Sequence, residues 1–174
     1  ILQNLVYPYS KYTMVNKIIL NKSFEVSLIM LMTATLVTAL RGLDNITDIH
    51  KLKLQLSTAV TFIASCHYYL MITAPTKIVT YRYLDWFFTT PLLLIDLCLT
   101  TGITNKYTIM QLVGYNIIML IAGFLGEVGI LNKPLACVLG FIPLILIFRD
   151  INRLMIHNNE NIKLLRVFIG VWSM

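Results

Sequence analysis

Residues 81–100, YRYLDWFFTTPLLLIDLCLT, form an apolar stretch that nonetheless carries Arg82, Asp85 and Asp96. A helix crosses a bilayer with roughly 20 mostly apolar residues, so this stretch is long enough to span one. A charge near the bilayer centre costs about 2.5–3.5 kcal/mol on insertion scales, so such residues face protein or water and mark an ion path. Arg82, Asp85, Thr89 and Asp96 follow one another at steps of three, four and seven residues. At about 3.6 residues per turn these positions share one helix face. The face runs from a cation through an acid and a hydroxyl to a second acid, about 16 Å beyond the first. A buried Arg82–Asp85 ion pair that only locks helices together is the structural alternative. It leaves Asp96 unpaired and costly.

The rest of the chain has the composition of a membrane protein. Of its 174 residues 57% are hydrophobic and 13% are charged, against about 25% charged in soluble domains. Mean hydropathy is +0.76. The net charge of +6 comes from cations that stand mostly between apolar spans, where they set topology. No basic stripe with interleaved aromatics suggests a nucleic-acid face. Cys66, Cys98 and Cys137 lie inside apolar spans, without metal-ligand spacing or a disulfide framework. No nucleophile–base pair or phosphate-binding glycine loop suggests an enzyme.

Hydropathy predicts an all-α membrane protein in one domain over residues 1–174. Full spans are expected at residues 24–40, 54–73, 79–101, 107–128 and 134–148. Residues 1–22 read as an exposed, partly helical segment, 42–53 as a polar loop and 149–163 as a polar connection. A sixth span begins near residue 161 and is cut off at Trp172-Ser173-Met174. The start at Ile1 and this stop suggest a piece of a longer chain, without a cleaved signal peptide.

With the amino terminus outside, inner segments carry Arg41, Lys51, Lys53, Lys106, Arg149, Arg153, Lys163 and Arg166. Outer segments then carry Lys11, Lys17, Lys22, Lys77 and Lys133, so the positive bias favours this orientation. His67 and Asp85 then lie at equal depth, roughly 9–10 Å from the outer side. A His beside a carboxylate favours the ionised acid; a His bonded only to backbone is the alternative. Ser57 and Asp96 match in depth near the inner side, where a Ser57–Asp96 hydrogen bond competes with a bond inside the helix. Glu127 reads as an interfacial charge, or, in a channel, as a residue lining a vestibule.

The string RYLDWFFTTPLLLID closely resembles the third helix of microbial rhodopsins, matching at Arg82, Tyr83, Asp85, Trp86, Thr89, Thr90, Pro91, Leu93 and Asp96. The string ASCHYYLM around His67 resembles the second helix of proteorhodopsin-type pumps, where such a His pairs with the counterion. Trp172-Ser173 resembles the start of the sixth-helix motif, and Met119 and Gly123 resemble fourth-helix positions beside the retinal ring. The resemblance implies a seven-helix bundle, of which five full spans and part of a sixth are present. It implies all-trans retinal, bound through a Schiff base to a lysine of a seventh helix that this chain does not include. The lysines here lie outside the spans or at their ends.

The same resemblance implies roles. Asp85 is the counterion and proton acceptor, Thr89 positions it, and His67 pairs with it. Arg82 switches toward the outer side, and Asp96 is the proton donor. Tyr83, Trp86, Thr90, Leu93, Met119, Gly123 and Trp172 contact retinal, with no metal site. The expected function is a light-driven outward proton pump, with protons, retinal and the bilayer as partners and a homo-oligomer, trimer or pentamer, as the assembly. A light-gated cation channel is the alternative, though the first span offers Thr33, Thr35 and Thr38 but no acid at its middle. A photosensor is the third reading.

Overall fold

Apolar helices that need no partner to satisfy their backbone are what this sequence can place in a bilayer, and helices are what the chain forms. The computed structural model describes residues 14–44 and 47–155. Among them are α1 (Met14–Arg41), α2 (Asp48–Thr73), α3 (Ile78–Thr100), α4 (Lys106–Glu127) and α5 (Lys133–Met155), with a short 3-10 turn at Pro75–Lys77 before α3. All five are long and apolar enough to cross a membrane. The exposed surfaces carry large apolar side chains such as Ile29, Met30, Leu36, Phe62 and Ile145. In water this would be a liability; against lipid it is the expected outer face.

Three boundaries differ from the sequence reading. Helix α1 begins at Met14, not residue 24, because nothing between Met14 and Arg41 breaks a helix: the segment has no Gly or Pro. Helix α2 begins at Asp48 and so takes up part of the expected polar loop. An acid in the first turn suits the helix dipole, so polarity there marks emergence from the bilayer and not the end of the helix. Helix α5 continues past Phe148 to Met155, through the first half of the expected connection. The expected amino-terminal segment before residue 14, the sixth span and Trp172 lie outside the described residues.

Contacts run between consecutive helices, α1 to α5 in order, so the described elements form an open row. Helices α1 and α2 are joined by paired hydroxyls: Thr35 donates to Thr61 at 2.9 Å, and Thr58 donates to Thr38 at 2.9 Å. Interhelical bonds of this kind contribute about 0.6 kcal/mol each in a membrane protein. A buried apolar cluster lies towards one end of the last three helices, where Leu94 and Cys98 of α3 meet Leu112 of α4 and Ile147 and Ile151 of α5. Towards the opposite end, α3, α4 and α5 enclose a groove instead.

Helices α4 and α5 approach closely beside that groove. Gly126 is buried, and a Cβ built on it would overlap the Ala136 Cβ. Small residues at such a crossing let helix backbones draw together. Gly126→Leu is therefore expected to cost about 1–3 kcal/mol by overpacking. Thermal unfolding of the detergent-solubilised protein measures this, and an unchanged Tm would show that the crossing tolerates a side chain.

Candidate functional site

Helix α3 carries most of the site because its polar residues recur at helical spacing on an apolar rod. Asp85 and Thr89 are buried at 6% and 4% exposure. The Thr89 hydroxyl donates to the backbone carbonyl of Asp85 at 2.8 Å, which leaves the Asp85 carboxylate to other partners. Across the α2–α3 interface, His67 Nδ1 lies 3.7 Å from Asp85 Oδ1 and donates to the Ile63 carbonyl at 2.9 Å. The pair is an electrostatic contact beyond hydrogen-bond length, and Asp85 Oδ1 is buried with no hydrogen-bond partner among the described residues. A buried carboxylate oxygen in that state is costly unless something positive or hydrogen-bonding meets it.

Arg82 does not pair with Asp85. Its guanidinium lies over the Trp86 ring at 5.3 Å and the Tyr83 ring at 5.7 Å, and its terminal nitrogen stands 3.7 Å from Glu127 Oε1 on α4. Stacking on aromatic faces attracts a cation through the ring quadrupole and fixes its direction. The α3 face therefore divides: Asp85 meets α2, and Arg82 meets α4. In the sequence Glu127 reads as an interfacial or vestibule charge, and no local spacing points to its pairing with Arg82.

Eleven residues beyond Asp85, Asp96 Oδ1 is also buried without a hydrogen-bond partner among the described residues. No hydrogen bond joins Ser57 to Asp96 there; the Ser57 carbonyl instead accepts from Thr61 at 3.0 Å. Lys53, near the start of α2, is close enough to act on Asp96 electrostatically.

The groove between α3, α4 and α5 has a volume of about 750 Å³. Its walls include Tyr83, Trp86, Thr90, Met119, Gly123 and Phe141. Ligand cavities of about 300–1,000 Å³ lined by rings and apolar groups accommodate small organic molecules. Tyr83 is held edge-on between Trp86 (5.4 Å) and Phe124 (5.3 Å). It fits against Gly123, where a Cβ would come 3.1 Å from its hydroxyl. Gly123 thus keeps this wall of the groove open. Leu93 is absent from the lining and is 37% exposed.

Thr90 is fixed from two sides: its hydroxyl lies 2.7 Å from the Trp86 carbonyl and 2.7 Å from Asn116 Oδ1 on α4. Asn116 is fully buried, with Nδ2 unpartnered among the described residues. In the sequence Asn116 is a polar residue within the fourth span. Its place in an otherwise apolar run was the available signal. Among the described residues no cluster of His, Cys, Asp or Glu could hold a metal ion.

Apolar helices around a buried carboxylate–histidine pair and a ring-lined groove define an integral, multi-pass membrane protein with a titratable interior. A model of the bacteriorhodopsin-like protein family matches residues 20–171. The chain belongs to the microbial rhodopsin family, and its described helices have that family's all-α fold.

Among curated relatives, opsin-1 of Neurospora crassa is 44% identical over 48 residues, covering 28% of this chain and 16% of the relative. Archaerhodopsin-3 of Halorubrum sodomense is 49% identical over 48 residues, covering 28% of this chain and 18% of the relative. The matched stretch thus spans less than a fifth of either relative. Among solved structures, the viral rhodopsin OLPVRII superposes with a TM-score of 0.83 at 28% identity, covering 89% of this chain and 80% of that one. The blue light-absorbing proteorhodopsin from Med12 gives a TM-score of 0.66 at 25% identity, covering 75% and 66%.

Proposed function

We propose that the protein, carrying retinal, is a light-driven pump that moves protons outward. The observation that carries this reading is Asp85, buried beside His67 with one carboxylate oxygen lacking a hydrogen-bond partner among the described residues, on a helix that carries a second half-buried acid at Asp96. An anion so placed suits a cationic group brought to it, and the ring-lined groove alongside suits an elongated apolar molecule. Retinal, when bound, supplies light absorption and a proton that can be given up and regained.

The chain's own groups do the rest. Trp86, Tyr83, Met119 and Gly123 would shape the retinal site, and the Thr90–Asn116 bond would hold one wall of it. Asp85 accepts a proton, with His67 orienting and steadying the carboxylate. Asp96 supplies the replacement proton from the other side. Asp85 and Asp96 are about 16 Å apart along the helix axis at about 1.5 Å per residue, so one acid serves each side of the bilayer. Proton transfer by positioned side chains is worth about 10²–10⁴-fold in rate. The loop charges favour an outer amino terminus, which places Asp85 towards the outside and gives the pump its direction.

Voltage clamp under illumination of the full-length, retinal-loaded protein tests this. A pump gives a current that stays outward at all voltages. A current that reverses with the cation gradient would instead establish a light-gated channel. The threonine hydroxyls between α1 and α2 speak against an open path there, since they are bonded to one another and to backbone carbonyls.

A further inference from the structure

We propose that Lys53 is a positioning residue for the inner acid: its ammonium on α2 balances the carboxylate that Asp96 becomes when it gives up its proton, and so speeds that delivery. The inference rests on the pump reading above and adds to it a residue that the α3 ladder does not contain.

Three observations carry it. First, the contact of His67 with Asp85 at 3.7 Å fixes the register of α2 against α3. From that contact Lys53 is fourteen residues back along α2, and Asp96 is eleven residues on along α3. Both intervals are close to whole turns at about 3.6 residues each, so Lys53 shares a face of α2 with His67, as Asp96 shares a face of α3 with Asp85. Consecutive helices run in opposite directions, so at about 1.5 Å per residue Lys53 comes about one turn beyond the level of Asp96. Its charge acts on Asp96 from there. Second, Asp96 Oδ1 is buried with no hydrogen-bond partner among the described residues. A carboxylate formed at such a place is costly unless a charge offsets it. Among the described residues Lys53 is the charged group that acts on it. Third, Lys53 is half-buried and forms no ion pair with any carboxylate among the described residues. Its charge is therefore not taken up by another acid.

The step is a proton transfer with no change in electrons. The Asp96 carboxyl loses its proton towards the middle of the bundle and becomes a carboxylate. The carboxylate later regains a proton from the inner side. Lys53 keeps its own proton throughout. A unit charge roughly 10 Å away, at an effective dielectric constant of about 20, favours the carboxylate over the acid by about tenfold. Such a charge speeds the loss of the proton and does not speed its return. Repacking of the helix pair would instead act on both in the same direction.

The test uses the full-length, retinal-loaded protein in lipid nanodiscs, excited by a flash and followed by time-resolved infrared spectroscopy. The carboxyl band of Asp96 reports the loss and return of its proton, and that of Asp85 reports proton arrival there. In Lys53→Met, loss from Asp96 is expected to slow about tenfold. Its return is expected to be no slower, and arrival on Asp85 is expected to keep its rate. The Asp96 band itself is expected to move in frequency, because a nearby charge polarises the carbonyl. Lys53→Gln, which keeps a polar end without the charge, is expected to match Lys53→Met. Lys53→Arg, which keeps the charge, is expected to restore the rate of loss. An unchanged rate of loss in both uncharged variants overturns the assignment of Lys53 alone. So does a slowing of loss, return and arrival by the same factor, which marks a structural role. A Lys53→Arg protein as slow as Lys53→Met also overturns it, since charge is then not the cause. If Asp96 loses no proton after a flash in the unmodified protein, the donor role in the pump reading fails and this inference fails with it.

Discussion

Asp85→Asn is expected to abolish light-driven proton transport and to shift the absorption of the retinal-loaded, full-length protein to longer wavelength. Asn is nearly the same size, so the buried site keeps its shape and His67 keeps a neighbour. The negative charge and the site that accepts a proton are both lost. A positively charged chromophore near Asp85 is then less well balanced in its ground state, which changes the colour. The pump loses its acceptor, and the rate falls by at least about 10²-fold, as for removal of a positioned acid or base. Visible spectra and light-driven pH changes in cells or vesicles measure the two effects separately. Persistent pH changes in the variant would refute the acceptor role, and an unshifted spectrum would place the balancing charge elsewhere.

Asp96→Asn is expected to act on the other half of the cycle. Asp96 is eleven residues further along α3, with Oδ1 buried and without a hydrogen-bond partner among the described residues. At about 16 Å from Asp85 along the axis, its loss leaves the colour nearly unchanged. Recovery after a flash slows by about 10²-fold because protons must then come from water without a resident donor. Added azide or another small weak acid is expected to restore the rate, since a diffusible donor replaces the missing one. A normal recovery rate in Asp96→Asn would remove Asp96 from the cycle. Lys53, which acts on Asp96 from α2, is the neighbour to change next.

Much of this architecture is written locally. Apolar length predicts spans, and each of the five expected spans falls inside a described helix to within one residue, while three helix ends run six to ten residues beyond them. The misplaced boundaries, at Met14, Asp48 and Met155, share one cause. Hydropathy reports where a helix meets lipid, whereas the helix itself continues into water wherever no Gly or Pro stops it. The placing of Asp85 and Thr89 in the interior of α3 also follows from spacing alone, because a buried face of a regular helix repeats at about 3.6 residues.

Neighbouring helices decide what spacing cannot. Arg82 and Asp85 are three residues apart and could have paired with each other. Packing gives Asp85 to His67 of α2 and Arg82 to Glu127 of α4. The Thr90–Asn116 bond joins residues 26 positions apart in the chain, and no local pattern connects them. The groove exists because Gly123 leaves room for Tyr83 and because Gly126 lets α5 come close to α4. Sequence by itself thus determined the number of described spans and the polar face of α3, since hydropathy and helical pitch are properties of short stretches. The partner of each charge was decided only by the tertiary structure, since a side chain's direction depends on which neighbour occupies the space beside it.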